Sequence, residues 1–175
     1  MKAIPTYANR TFSFDAETNG LYGQAFCISA VLFDENGDAE ATFCGRCPIE
    51  GSVNPWVESN VLPQMEDIPE TCGSYRELLG EFIAFFAEHS KNSDVIVHMG
   101  VPVEAKLFID AVQMGIMGEF DGPYPLIDIS ALPEINVSVD TYLKEKDVEC
   151  DEQTHNPLYD CWAAAFAYRH CMNKQ

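Results

Sequence analysis

The sequence predicts an α/β fold in which helices flank a mixed central sheet whose first strands form an antiparallel meander. Two observations predict it: three strand-like segments follow one another near the start, and helices and strands then alternate. Strands are expected at residues 10–15, 26–33, 40–47, 94–98 and 125–129. Helices are expected from residue 74, over 103–114 and over about 157–169, with a short one within 54–65.

Alternation and turn residues define the strands. Phe12 and Phe14 alternate with polar residues before Asp15, which is the pattern of a strand. Residues 34–38, Asp-Glu-Asn-Gly-Asp, form a turn, so the apolar segments on either side of it are expected to pair as neighbours. The segments 94–98 and 125–129 are short and apolar, and they are expected to be buried strands.

Capping residues mark where helices begin. Ser74, with Glu77 three residues later, forms a capping-box pattern, and a broad apolar face follows. Pro157 suits the first turn of the last helix, which is rich in alanine. These signals place two helix starts, near residues 74 and 157.

The composition is that of an ordinary globular protein. The chain has 175 residues, 47% hydrophobic and 22% charged, which predicts one folded domain over residues 1–175. No apolar run reaches the roughly 18 to 20 residues that span a bilayer. The first residues also lack the apolar stretch of a signal peptide. The protein is therefore expected to be soluble and cytoplasmic, without a membrane partner.

Seven cysteines are expected to be reduced thiols. Their number is odd, and nothing marks the chain for secretion. Cys44 and Cys47 form a Cys-x-x-Cys pair, but a structural zinc site would need a second pair at suitable spacing. The two thiols are therefore expected to lie near a strand end without a metal.

The net charge of −18 is the least expected feature. Proteins that grip long nucleic acids carry basic stripes, because neutralised phosphates supply most of the non-specific affinity. Here the lysines and arginines number only ten and are scattered. The charge argues against tight, processive binding of duplexes and favours a substrate held at its end, or a short one.

Segment 14–20, Phe-Asp-Ala-Glu-Thr-Asn-Gly, carries two carboxylates at the end of a predicted strand. Asp15 and Glu17 are two residues apart, so their side chains leave the same face of the strand and can converge on one metal. Mg²⁺ and Mn²⁺ are hard cations that prefer such oxygens. Gly20 allows the backbone to pass close to a ligand. The alternative is a solvated strand end.

A histidine and an aspartate stand at the start of the last helix. Pro157 in the first turn leaves His155 on the preceding loop and places Asp160 within that turn. The arrangement suits a metal-bound Asp160 on a rigid helix and a mobile His155 that abstracts a proton near neutral pH. A lone histidine is more often structural, so the case for a catalytic His155 depends on Asp160 standing five residues later, at the start of the helix.

These two segments resemble the DEDDh class of 3′→5′ exonucleases, the DnaQ-like or RNase T-like enzymes. Segment 15–20 is similar to the first motif of the class, and His155 followed by Asp160 is similar to the third. The resemblance extends from Phe12 to Arg169 in the family's order. It implies the RNase H-like exonuclease fold.

The middle motif resembles the family with two departures. Glu104 stands where the family has an aspartate, and one extra residue separates it from His98. Leu107 and Phe108 keep the family's apolar offset. The resemblance makes Glu104 the ligand, with Asp110 as the alternative, and His98 is expected to pack at the strand end.

The resemblance implies a two-metal phosphodiester hydrolysis. Two divalent cations, Mg²⁺ or Mn²⁺, about 3.5–4 Å apart, would clamp the scissile phosphate. Asp15, Glu17, Glu104 and Asp160 would hold them, and His155 would be the general base. The products would be nucleoside 5′-monophosphates.

The same resemblance suggests how the substrate is bound. Thr18, Asn19 and Leu21 would contact the 3′-terminal nucleotide, and Phe108 would either stack on a base or pack in the core. Asp128 would organise a neighbouring loop rather than bind metal.

Residues 54–63 resemble a small RNase T-like exoribonuclease branch known from mycobacteria. Because of this resemblance, single-stranded RNA is expected as the substrate in preference to DNA. Related small exonucleases are often homodimers, so a homodimer is expected here too. Two alternatives stay open: a phosphodiesterase for oligonucleotides or dinucleotides, and a non-catalytic nucleic-acid-binding module with the same fold.

Overall fold

A five-stranded mixed sheet forms the centre of the molecule. The computed structural model describes residues 3–135, 138–148 and 155–173. The strands are β1 (Arg10–Thr18), β2 (Ala25–Phe33), β3 (Ala39–Arg46), β4 (Ser93–Val97) and β5 (Ile127–Asp128). Their order is β3-β2-β1-β4-β5; the first three are antiparallel, whereas β4 and β5 run parallel to β1. The predicted antiparallel meander is therefore confirmed.

The main helices follow the predicted order. They are α1 (Pro55–Asn60), α2 (Tyr75–His89), α3 (Val103–Gln113), α4 (Val139–Glu145) and α5 (Pro157–Met172), with 3₁₀ turns at Leu62–Met65 and Ile129–Ala131. Ser74 caps α2, because its hydroxyl oxygen accepts a hydrogen bond from the Glu77 N–H at 3.3 Å. Pro157 is in the first turn of α5, as predicted.

Helices cover both faces of the sheet and create two apolar cores. Phe14 of β1 packs with Phe82 of α2 and Phe108 of α3 in the first core. The second core contains Ile96 of β4 and Trp162 of α5. Every residue of β2 is buried, and the strand contributes to both cores: Ala30 and Leu32 enter the first, Val31 and Phe33 the second.

In the second half of the chain, one predicted strand is corrected and one helix was missed. The strand expected over 125–129 is only two residues long, because the Asp128 side chain accepts a hydrogen bond from the Ser130 N–H at 3.0 Å and starts a 3₁₀ turn. Helix α4 was not predicted. Ser138 caps it, and Val139, Tyr142 and Leu143 bury one side of a helix too short to show clear periodicity.

The described cysteines are free thiols, and Cys44 and Cys47 lie at the end of β3. In the described ranges, no helix is both long enough and apolar enough to cross a membrane.

Arg169 is expected to fix α5 to the turn between β2 and β3. Its guanidinium is fully buried and donates hydrogen bonds to the carbonyls of Asp34 and Glu35 at 2.7 and 2.6 Å. Arg169→Leu should lower the free energy of unfolding by about 2–3 kcal/mol, measured by urea denaturation. Arg76→Leu is the control, because the exposed Arg76 makes one bond to a carbonyl. Equal losses in both variants would contradict the anchoring role.

Candidate active site

Three elements bring acidic residues to one end of the sheet. Asp15 and Glu17 lie near the carboxyl end of β1, and alternation turns them away from the first core, toward α5. β4 is parallel to β1, so its carboxyl end lies at the same edge, and the loop after it leads into α3. Glu104 is in the first turn of α3, and Asp160 is in the first turn of α5.

Asp15, Glu17 and Asp160 form a close acidic group. Each offers a carboxylate oxygen, and these oxygens lie within 4.8 Å of one another. Anionic groups at this separation repel one another unless a proton or a cation lies among them. An all-oxygen donor set suits a hard cation such as Mg²⁺ or Mn²⁺ rather than a soft one. The residues present therefore fit the cations that the sequence implies.

Glu104 approaches the same motif from the α3 side. Its side chain is buried, and Oε1 accepts a hydrogen bond at 3.1 Å from the N–H of Ala16, between Asp15 and Glu17. Glu104 stands outside the 4.8 Å group formed by the other three acids. Its longer side chain therefore reaches the backbone of the motif rather than the centre of the acidic group.

Asp110, the alternative to Glu104, is engaged elsewhere. Its carboxylate accepts a hydrogen bond from the Tyr75 hydroxyl at 2.7 Å and pairs with Lys106 one turn earlier on α3. These contacts tie α3 to α2. The structure thus brings Glu104, and not Asp110, to the backbone of β1 beside the acidic group.

Asp128 holds the loop that leads to Glu104. It accepts hydrogen bonds from the N–H groups of Met99 and Gly100 at 3.1 and 3.0 Å. Burial opposes its ionisation, but these bonds and those from Ser130 outweigh burial and lower the pKa of Asp128. Gly100 is required there, because an added Cβ would lie 2.3 Å from the Val97 side chain.

Ionisation of the carboxyl groups in the acidic site is unfavourable. Burial, followed by the charges of Asp160, Glu104 and Glu17, raises the pKa of Asp15 well above its usual value. Burial raises the pKa of Glu104 to about 8. Burial and the charge of Glu17 also raise the pKa of Asp160. A group of acids that resists ionisation in this way gains stability when a divalent cation binds.

His155 lies beside this group. Its Nδ1 is 3.6 Å from Oε1 of Glu17, and interaction with that carboxylate raises the pKa of His155. The ring packs edge-on against Trp56 with centroids 5.4 Å apart. The side chain is 39% exposed, so it is accessible to solvent. The backbone φ of 66° is uncommon for a residue other than glycine and turns the chain into α5.

A polar cavity of about 200 Å³ adjoins Asp15 and Asp160. Its other polar lining includes His98, Ser138 and Asp140. Nε2 of His98 is buried without a hydrogen-bond partner among the described protein atoms, and burial lowers the pKa of this histidine. His98 therefore lies at the end of β4, as expected, but it also faces the acidic site.

Sequence reasoning missed two residues of the site. Asp140 is in the first turn of α4 and lines the cavity, and Trp56 contacts His155 from α1. The Ser-x-x-Thr cap at the start of α4 was the available signal for Asp140. Nothing in the local sequence indicates that Trp56 lies near His155, because the contact joins segments about a hundred residues apart.

The three residues expected to contact the terminal nucleotide differ in their surroundings. Leu21 is 58% exposed in the loop after β1, and Thr18 is half-buried at the end of β1. Asn19 uses both ends of its side-chain amide, accepting from the Asn54 N–H at 2.7 Å and donating to the Ser52 carbonyl at 3.0 Å. Asn19 therefore positions the segment before α1.

Phe108 belongs to the core rather than to a base-binding surface. It is 8% exposed, and its ring packs against Phe14, Phe82 and Phe86 at centroid distances of 5.0–6.0 Å. The first core needs an aromatic side chain at this point, since α2, α3 and β1 meet there. Of the two sequence interpretations of Phe108, the structure supports core packing.

Comparison with known proteins identifies the fold. No family model and no curated protein matches the chain. Among solved structures, Exonuclease X in complex with 5′-overhanging duplex DNA matches with a TM-score of 0.59 and 19% identity, covering 94% of this chain and 92% of that one. The chain has the RNase H-like exonuclease fold. The fold expected from the sequence is therefore confirmed.

The raised pKa values predict that the metal-free protein becomes less stable as pH rises. A carboxyl group with a higher pKa in the folded state binds more protons there, so stability falls between the unfolded and folded pKa values. For Glu104 this window runs from roughly 4.3 to about 8. In EDTA, the melting temperature should fall across that window, and Mn²⁺ at 100 times its dissociation constant should restore about 2.7 kcal/mol.

Asp15→Asn tests that explanation directly. It should flatten the pH dependence, raise the metal-free melting temperature and remove the stabilisation by Mn²⁺. Asp38→Asn is the matched control, because Asp38 is exposed in the turn before β3, and it should behave as the wild type. A wild-type protein whose stability is independent of pH and Mn²⁺ would contradict the electrostatic account.

Glu104→Gln separates charge from hydrogen bonding. Glutamine keeps an oxygen that can accept from the Ala16 N–H but removes the negative charge. We expect Mn²⁺ affinity to fall roughly 10- to 100-fold, measured by titration calorimetry. Glu77→Gln is the control, because Glu77 also accepts a backbone N–H bond, from Gly73. If the Mn²⁺ affinity of Glu104→Gln is unchanged, the charge of Glu104 does not contribute to metal binding, and its role is only to accept the hydrogen bond from Ala16.

Proposed function

We propose that this chain is a metal-dependent 3′→5′ exonuclease that releases nucleoside 5′-monophosphates from single-stranded nucleic acid, with RNA favoured over DNA. The observation that carries the proposal is the grouping of Asp15, Glu17 and Asp160 within 4.8 Å, with His155 beside Glu17. The fold shared with Exonuclease X, whose structure includes DNA, supports it. The resemblance of the motifs to the DEDDh class supplies the 3′→5′ polarity.

Four carboxylates would hold two cations, either Mg²⁺ or Mn²⁺. Asp15, Glu17 and Asp160 are the ligands that the geometry favours. Glu104 completes the set from α3 and fixes the motif backbone through Ala16. When bound, the cations supply Lewis acidity that lowers the pKa of a water nucleophile and neutralises charge on the phosphate and the leaving 3′-oxygen.

His155 is the proposed general base. The Glu17 carboxylate near Nδ1 orients the ring and strengthens it as a proton acceptor. Trp56 packs edge-on against the ring and limits its movement. The exposed position on the loop before α5 allows His155 to take a proton from the attacking water and then release it to solvent.

Exposed apolar side chains that follow the first motif or contact His155 would bind the terminal nucleotide. Leu21 and Tyr22 follow the first motif and are 58% and 75% exposed, and Trp56 is 56% exposed beside His155. Base stacking on aromatic rings tolerates any sequence. Thr18 would contact the sugar from the end of β1. These residues therefore replace Asn19 and Phe108, whose side chains are used within the fold.

The domain organisation, cellular compartment and oligomeric state are part of the same proposal. Residues 1–175 would act as a single domain in the cytoplasm, and the free thiols of the described cysteines are consistent with a reducing compartment. The preference for RNA and a homodimeric state rest on the family resemblance alone.

The direct test uses 5′-labelled single-stranded RNA and DNA oligonucleotides with Mn²⁺ or Mg²⁺. A ladder that shortens from the 3′ end, faster for RNA, is the expected result. Asp15→Ala and EDTA should abolish it. His155→Ala should lower kcat by about 10²- to 10⁴-fold, because a positioned base contributes that much.

His89→Ala is the control for the histidine variant. His89 lies in the last turn of α2, at the opposite end of the sheet from Asp15, and its loss should leave kcat unchanged. Internal cleavage products, or cleavage that persists in Asp15→Ala, would contradict the proposal.

A further inference from the structure

Most of the positive charges of the described residues are engaged in contacts within the fold. Two of the ten lysines and arginines, Lys2 and Lys174, lie outside the described ranges. Five others bind protein oxygens: Arg10 binds Glu40, Arg46 the carbonyls of Met65 and Ile68, Arg76 that of Met114, Lys106 Asp110, and Arg169 the carbonyls of Asp34 and Glu35. These side chains hold the protein together instead of forming a track for phosphates.

None of the three remaining cations of the described residues, Lys91, Lys144 and Lys146, lines the cavity beside the acidic group. Lys91 precedes β4, and Arg10 begins β1; these two strand starts are paired at the end of the sheet opposite Asp15. Five residues of extended chain separate Arg10 from Asp15, about 16 Å, which is roughly two Debye lengths at physiological salt. Residues of the first turn of α4 line the cavity, whereas Lys144 is one turn further along the helix and Lys146 lies over the Tyr142 ring.

The surroundings of the acidic group add more negative charge. Asp140 lines the cavity beside Asp15 and Asp160, and its charge contributes to the raised pKa of Asp160. Within the described part of the chain, no lysine or arginine lines this cavity. Glu58 is exposed on the same short helix as Trp56, which contacts His155, and its side chain leaves another side of that helix. A phosphate beyond the reach of the bound cations would therefore meet repulsion instead of a counter-charge.

We propose that the preferred substrate of this site is a short oligonucleotide, down to a dinucleotide, bound through its terminal phosphodiester and bases. The proposal rests on the proposed function and names its substrate class. Because no lysine or arginine of the described residues lines the cavity, each further nucleotide adds one negative charge without a counter-charge there, and a longer strand gains no affinity from its length. This reverses the usual dependence, in which each neutralised phosphate of a single strand contributes a salt slope of about −0.7.

The test compares kcat/KM for oligoadenylates of 2, 5 and 20 nucleotides in saturating Mn²⁺, at about 50 and 200 mM KCl. We expect kcat/KM for the 20-mer to be no higher than for the dinucleotide at the lower salt concentration. Raising the salt concentration should leave the dinucleotide unchanged and raise kcat/KM for the 20-mer, because salt screens repulsion.

Charge reversal on α1 provides the matched variants. Glu58→Lys should raise kcat/KM for the 20-mer about two- to fivefold at low salt and leave the dinucleotide unchanged. Glu88→Lys makes the same charge change on an exposed residue in the last turn of α2, far from the acidic group, and should affect neither substrate.

The outcomes distinguish the two levels of the proposal. A kcat/KM that rises several-fold from 2 to 20 nucleotides and falls with added salt would overturn the short-substrate proposal while leaving the exonuclease intact. Absence of cleavage at every length, with Mn²⁺ binding confirmed by calorimetry, would overturn the proposed function and this proposal with it.

Discussion

The mutual repulsion of carboxylates at one end of the sheet is the constraint on which the rest of the structure depends. Asp15, Glu17 and Asp160 are held within 4.8 Å by a strand and a helix that are themselves rigidly packed. Such an arrangement is unfavourable in the absence of a cation, as the raised pKa values of Asp15 and Asp160 indicate. The two apolar cores must therefore supply the stability that the acidic group removes, which is the usual relation between a functional site and its scaffold.

Features that depend on local spacing could be predicted from the sequence. The two-residue separation of Asp15 and Glu17 fixes a shared face of a strand, and Pro157 fixes where the last helix begins, so His155 and Asp160 could be placed. Contacts between distant segments could not be predicted. The bond from the Ala16 N–H to Glu104, and the position of Trp56 beside His155, arise only from tertiary packing.

The features that the sequence left open or missed also depend on packing between distant segments. For Phe108 the sequence left base stacking and core packing open, and only the meeting of α2, α3 and β1 decides that the side chain is buried. Helix α4 has seven residues, which is too few for apolar periodicity to stand out, so Asp140 was missed with it.

The central claim is that this acidic group is a centre for two cations, and diffraction from crystals soaked in Mn²⁺ tests it most directly. Anomalous scattering should show two peaks about 3.5–4 Å apart, one of them in contact with Asp15, Glu17 and Asp160. Anomalous maps without a peak at these carboxylates, from crystals whose occupancy by Mn²⁺ elsewhere proves that the soak succeeded, would contradict the account.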